Sequence, residues 1–119
     1  MYYTNTHEWV SLEGNIGTVG ITERAQKELG SIVYIELPKI GQEVNAGAEA
    51  CVLESTKAAV DVYSPVSGKV VAINDAIKSD PASLLLSGWL FRLELSRPSE
   101  CEQLMSLLQY QVLCAGQKN

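Results

Sequence analysis

Basic residues, histidine and long apolar runs are what this chain has least of. Lysine and arginine total 9 against 14 acidic residues, a formal net charge of −5. A nucleic-acid binder needs a basic face to neutralise phosphates, so no nucleic-acid partner is expected. The longest apolar runs, such as Leu84-Leu85-Leu86, are far too short to cross a bilayer, and no membrane partner is expected either. No charged-then-apolar leader precedes Tyr2. That predicts a cytoplasmic protein of the bacterial type, although a processed organellar chain would leave the same sequence. With His7 as the only histidine, no Ser-His-Asp or Cys-His constellation can be argued from pattern. Cys51, Cys101 and Cys114 are odd in number and lack Cys-x-x-Cys spacing, which argues against a disulfide framework or a zinc site. Cys51 falls on an expected strand and reads as buried filler, and Cys101 falls in a helical pattern.

What is present reads as one domain over residues 1–119, large enough to bury a single core, with 46% hydrophobic residues. Residues 2–21 read as short strands with a hairpin turn at Glu13-Gly14-Asn15. Thr22 is placed as the N-cap of a short helix that Gly30 stops, with Ala25 and Leu29 as its docking face. Ser31 to Leu37 is the clearest strand by β-branched and aromatic content, ended by Pro38. Val44 sits on a small strand between Gly41 and Gly47. Lys69 to Ile73 is another strand, Asn74 to Ala82 a short helical turn, and Trp89 to Leu95 a closing strand with Leu90, Arg92 and Glu94 on its alternate face. From Pro98 the period changes. Cys101, Leu104, Met105, Leu108 and Val112 recur as on one face of a C-terminal helix. Ser99 with Glu102 fits a capping box there, and Pro98 at the first helical position is the competing register. The pattern is mainly β, a sandwich or barrel with peripheral helices.

The stretch Cys51 to Pro65 organises the rest. Lys57 stands midway between two β-prone arms, with Gly47 ten residues upstream and Gly68 eleven downstream. A hairpin with a punctuated base on each side leaves that spacing, although Ser-Thr-Lys-Ala is a weak turn by propensity. A lysine at such a tip is expected to point into water, away from its own sheet, where another protein's active site can take it.

Glu54-Ser55-Thr56-Lys57-Ala58 resembles the lipoylation motif of the glycine cleavage system H protein family. His7-Glu8-Trp9, Thr18-Val19-Gly20-Ile21-Thr22, Ile32-Val33, Glu36-Leu37-Pro38, Tyr63-Ser64-Pro65-Val66-Ser67-Gly68, Gly88-Trp89-Leu90-Phe91 and Pro98-Ser99-Glu100 continue the resemblance in order along nearly the whole chain. It implies a lipoyl-domain-type barrel-sandwich hybrid, with a short helix near 22–29 and a C-terminal helix. It implies lipoate attached to Lys57, with Glu54 read by the lipoylating enzyme and Gly68 matching the family's downstream glycine. Glu54 could also be an ordinary exposed strand carboxylate, Gly68 a plain turn residue, and Asp61 either a group facing the arm or a solvating one. His7 lies in a family motif and is assigned no catalysis.

The function so implied is that of a carrier rather than an enzyme. Its lipoyl arm takes an aminomethyl group from a PLP-dependent glycine decarboxylase and presents it to an aminomethyltransferase. Dihydrolipoyl dehydrogenase reoxidises the arm, and a lipoate ligase or lipoyl transferase installs it; the carrier is expected to be a monomer. Two departures stand out: the segment 82–87 is shorter and more apolar than in the H proteins it resembles, and Ser31 stands where they commonly have Asp. The first favours the rival reading, an H-like lipoyl protein outside glycine cleavage that relays lipoate to 2-oxoacid dehydrogenases or answers to redox state. A biotin carrier is disfavoured because Thr56 and Ala58 replace the methionines that flank biotinyl lysine. An unmodified interaction domain is the rival from another class.

Overall fold

Antiparallel pairing of short strands sets the architecture of the computed structural model, which describes residues 1–81 and 88–116. The strands are β1 (Tyr2–Tyr3), β2 (Glu8–Glu13), β3 (Ile16–Ile21), β4 (Ile32–Glu36), β5 (Glu43–Val44), β6 (Glu49–Ser55), β7 (Ala59–Tyr63), β8 (Gly68–Ile73) and β9 (Trp89–Leu95). They form a six-stranded sheet in the order β1-β2-β3-β9-β8-β5 and a three-stranded sheet in the order β4-β6-β7. The inward residues of both sheets, among them Val10, Val19, Leu53, Val62, Val70 and Leu93, bury one shared apolar cluster. The mainly β reading with peripheral helices therefore holds.

Helix α1 (Glu23–Leu29) forms as its ends dictate. Thr22 Oγ1 accepts from the Ala25 N–H, and Gly30 closes the helix at φ 76°, a conformation that costs glycine little. Ala25 and Leu29 pack against the core, as their four-residue spacing predicts. Helix α2 (Ala76–Ser79) covers less and buries Ile77.

Two sequence expectations need correction. Leu90, expected on the polar face of β9, is fully buried beside Phe91. The register shifts there, with Val19 opposite Phe91 and Gly20 opposite Trp89, so Leu90 is an extra residue that breaks the period of two. The C-terminal pattern is likewise not one helix. A 3₁₀ helix over Pro98–Gln103 is followed by a bridge between Tyr3 and Met105, and only then by α3 (Leu107–Gly116). The break rotates the expected stripe out of line: Leu108 and Val112 are 70% and 66% exposed, while Tyr110 is buried. Pro98 takes the first-turn position, and Arg97 caps without a side-chain bond, so the Ser99–Glu102 capping box does not form. The capping box belongs to α3: Ser106 Oγ accepts from the Gln109 N–H (3.2 Å), and Gln109 Oε1 accepts from the Ser106 N–H (2.8 Å).

Several motifs explain themselves by touching one another. Trp9 Nε1–H donates to the Ile21 carbonyl at 2.9 Å. Gly20 lies against both the Trp9 ring and the Gly88 carbonyl, and a Cβ there would stand inside their van der Waals envelopes. Glu100 accepts from the Ser67 N–H (2.7 Å) and the Ser67 hydroxyl (2.9 Å), which ties the 3₁₀ helix to the turn before β8. Because the Gly20 contact includes backbone, Gly20→Ala is expected to cost about 3 kcal/mol. Urea unfolding checks it: a midpoint unchanged from the parent protein would mean the Gly88 segment moves aside freely.

Candidate functional site

The tip of the β6–β7 hairpin is built by a serine side chain rather than by a glycine turn. Ser55 Oγ accepts from the N–H groups of Lys57 and Ala58, both at 3.1 Å, and the Ser55 N–H donates to the Ala58 carbonyl at 2.8 Å. A hydroxyl folding over its own following residues supplies the turn that propensity alone did not favour. The Thr56 N–H donates to the Ser31 carbonyl at 3.1 Å, anchoring the tip to the segment after α1. This tie uses the Ser31 backbone, so a different side chain at that position leaves it intact.

Lys57 is exposed, as expected, but it does not point away from the body of the protein. Its Cε and Nζ lie 3.7 and 3.8 Å from where a Cβ on Gly30 would stand. The side chain leans across the C-terminal end of α1, where the missing Gly30 side chain leaves room.

Lys57 thereby lines a groove of about 260 Å³. One wall is α1, through Ala25, Glu28 and Leu29, and the opposite wall is the hairpin, through Ser55, Ala58, Val60 and Asp61. Leu53, Val62 and Ile21 add apolar lining, and the turn Thr6-His7-Glu8 completes the groove. It is therefore mostly apolar, with the three carboxylates of Glu8, Glu28 and Asp61 around it. Such a site suits a short aliphatic chain that ends in a cation. A larger depression of about 690 Å³ lies between α1 and α3, and Lys57 is not among its lining residues.

Glu8 is the buried member of the three carboxylates. Its Oε1 accepts from the hydroxyls of Thr4 (2.6 Å) and Thr6, and its Oε2 from the Tyr63 N–H at 3.3 Å. His7 adopts φ 72°, unusual for a side chain with a Cβ. Its Nδ1 lies 2.7 Å from the Tyr110 hydroxyl, which lies 2.8 Å from Thr22 Oγ1.

The other sequence-derived positions fall elsewhere. Glu54 is exposed on β6, registered between Tyr34 of β4 and Ala59 of β7, next to the tip but not lining the groove. Gly68 lies on β8 in the other sheet, buried, where a Cβ would collide with the Glu94 carbonyl. Asp61 does line the groove with Lys57. The segment 82–87, on which the departure from the H proteins rested, lies outside the described residues.

Sequence reasoning missed Ser55, Glu8 and Tyr110. Ser55 and Glu8 stood inside quoted motifs but carried no role. Tyr110 was left off the apolar stripe, and no local pattern points a tyrosine at a histidine 103 residues away.

Away from the tip, two thiols and one phenol are shifted upward. Burial pushes the Cys51 thiol up to about 12. It also raises the Cys101 thiol, with the Glu100 charge adding to the effect. Burial pushes the Tyr110 phenol up to about 12, against the Thr22 hydrogen bond and the Arg24 charge, which pull it down.

Comparison with known proteins gives one consistent family. The family model described as Glycine cleavage H-protein matches residues 1–117. The glycine cleavage system H protein of Thermotoga maritima is 46% identical over 117 residues, covering 95% of this chain and 94% of its own. That of Rhodospirillum rubrum is 49% identical over 115 residues, covering 92% and 91%. Among solved structures, the crystal structure of a glycine cleavage system H protein from Mycobacterium marinum superposes with a TM-score of 0.86 at 32% identity. It covers 95% of this chain and 94% of that one, and the lipoyl barrel-sandwich architecture is shared.

The thiol and phenol shifts fix a prediction. Both are upward, so the folded state keeps protons that the unfolded chain releases from about pH 9 for Cys51 and pH 10 for Tyr110. That share of stability is present below pH 9 and is lost as the pH rises towards 12. Urea midpoints measured from pH 8 to 11 are expected to fall. Iodoacetamide at pH 8 is expected to label half-buried Cys114 in the native protein and to spare Cys51. Equal labelling of the two would contradict the shift.

Proposed function

The chain belongs to the glycine cleavage H-protein family, and on that premise we propose that it is a lipoyl carrier of the glycine cleavage system, modified on Lys57. The observation that carries this reading is the pairing of an exposed lysine, at a tip fixed by Ser55, with an apolar groove rimmed by carboxylates that the same lysine lines. The residues present fit the group. Lys57 offers an amine free to be acylated, its four-carbon stem lengthens the arm, and the groove gives that arm a seat on its own protein.

Held on Lys57, a lipoyl disulfide would supply the two-electron acceptor chemistry for the aminomethyl group that glycine decarboxylation leaves. The chain does the rest by position. Ser55 and the Ser31 carbonyl hold the tip so that Lys57 is offered to each partner in one geometry. Glu54, exposed beside the tip, is the feature the lipoylating enzyme reads. Gly68 acts at a distance, letting β8 close on β9. In the groove, Leu53, Val60 and Val62 exclude water from the arm, and Asp61, Glu28 and Glu8 attract the cationic end of its cargo. A cation-attracting groove favours the glycine cleavage cargo over a role confined to passing uncharged lipoyl groups.

The proposed partners are the PLP-dependent decarboxylase, the aminomethyltransferase, dihydrolipoyl dehydrogenase and the lipoate ligase or transferase. The carrier itself is proposed to act as a monomer in the cytoplasm. Docking makes each encounter effectively intramolecular, so a carrier raises the local concentration of cargo without catalysing anything itself.

Two measurements test this. Peptide mass spectrometry on protein from its native host is expected to find a lipoyl amide on Lys57 and none in Lys57→Arg, with Glu54→Gln modified more slowly by lipoate ligase. An unmodified Lys57, in cells whose other lipoyl domains are modified, would sink the reading. Removing one groove charge with Asp61→Asn is expected to shorten the lifetime of the bound aminomethyl cargo about fivefold, the effect of about 1 kcal/mol. Intact-mass decay curves report it.

A further inference from the structure

We propose that Tyr110 is a positioning residue for the arm groove: its hydroxyl, bridging His7 and Thr22, makes the C-terminal helix α3 set the spacing between α1 and the His7 turn that completes the groove. The inference rests on the reading that the groove receives the arm.

The geometry is a chain of short contacts that ends on the groove. The Tyr110 hydroxyl lies 2.7 Å from His7 Nδ1 and 2.8 Å from Thr22 Oγ1. Thr22 Oγ1 accepts from the Ala25 N–H at 3.3 Å, and the Thr22 N–H donates to the His7 carbonyl at 3.0 Å. His7 and Ala25 both line the groove that Lys57 lines, one on the turn before β2 and one on α1. A single hydroxyl thus spans the joint between that turn and α1 from outside the groove.

Three further features make that hydroxyl more than packing. His7 holds a left-handed backbone at φ 72°, a conformation that persists only where surrounding contacts over-determine it. Tyr110 is buried and stacked on Tyr3, with ring centroids 4.9 Å apart and planes 15° off parallel, so its hydroxyl has little freedom to leave. And Tyr110 is the buried residue of α3, whose other ties include the Arg24 Nη1–H bond to the Cys114 carbonyl (3.2 Å) and the Tyr3–Met105 bridge before it, while Leu107, Leu108 and Val112 are exposed. The buried side chain that helps seat the helix also bonds His7, so a displacement of α3 at Tyr110 is passed to His7.

The test uses the full chain. Tyr110→Phe keeps the ring and its stacking and deletes only the hydroxyl. In the unlipoylated protein it is expected to move the ¹⁵N signals of the His7 imidazole. In the lipoylated, aminomethyl-loaded protein it is expected to shorten the cargo lifetime about fivefold, while lipoyl addition to Lys57 stays unchanged. His7→Asn, which tolerates the left-handed backbone and keeps a polar group near Tyr110, is expected to retain more of that lifetime than His7→Ala. The proposal is overturned if folded Tyr110→Phe keeps the parent lifetime while Asp61→Asn shortens it. If neither variant shortens the lifetime, the groove does not seat the cargo, and the functional reading fails with the proposal. Should Tyr110→Phe not fold, the two His7 variants decide, and equal lifetimes in them overturn it.

Discussion

A buried carboxylate is the constraint on which the groove depends. Glu8 is 3% exposed, and a charge so placed must have its lone pairs met by donors or the fold loses several kcal/mol. The donors come from two places. Thr4 and Thr6 lie in the turn before β2, and the Tyr63 N–H lies at the end of β7, in the other sheet. Meeting the needs of one side chain therefore curls the turn and holds the hairpin's base against the larger sheet. The turn closes further through the Thr4 carbonyl, which accepts from the His7 N–H, and through the Thr4 hydroxyl, which accepts from the Glu8 N–H. His7 is left in its unusual backbone as a consequence. Groove wall, sheet junction and left-handed histidine are one event seen from three sides.

The rest of the architecture separates what must be rigid from what must be offered. The six-stranded sheet carries the close approaches that tolerate no Cβ, at Gly20 and Gly68, and the Glu100–Ser67 lock. The three-stranded sheet is smaller, and its central strand β6 runs straight to the tip that bears Lys57. A tip in solvent would fray if it depended on turn propensity alone. It is held because Ser55 caps the following N–H groups and because Thr56 is tied to Ser31 beyond α1. Lys57 is then exposed while the backbone beneath it is tied down.

How much of this was legible in the chain follows from the range of each interaction. α1 was readable because Thr22, Ala25, Leu29 and Gly30 act within two turns. The central hairpin was readable because glycines bracket a symmetric stretch about Lys57. The C-terminal region was not, because a bridge from Tyr3 to Met105 breaks the helical run, and nothing near Met105 announces a partner a hundred residues earlier. Leu90 was misplaced for a similar reason, since a one-residue register shift against β3 is invisible along β9 alone. At the site, the resemblance located Lys57, but the groove is made of residues drawn from four separate stretches. Local pattern reports what a residue does to its neighbours in sequence, and Glu8 and Tyr110 act on neighbours in space.

The composition of the groove also bears on how a carrier must behave. A seat made wholly of matched charge, closed from water, would hold cationic cargo too tightly to surrender it at each encounter. Of the three carboxylates, Glu8 is already engaged by three donors and Glu28 pairs with Arg24 at 3.4 Å. Their pull on a visiting cation is therefore partly satisfied in advance, and exposure at the rim weakens it further by solvent screening. What remains is attraction worth on the order of 1 kcal/mol per exposed charge, added to burial of a short aliphatic arm. In the proposed carrier role, an attraction of that size would favour the seated state and would still yield to a docked partner. Weak, distributed attraction beside a lysine at a tied-down tip is the combination that the proposed carrier role requires of one side chain serving several active sites in turn.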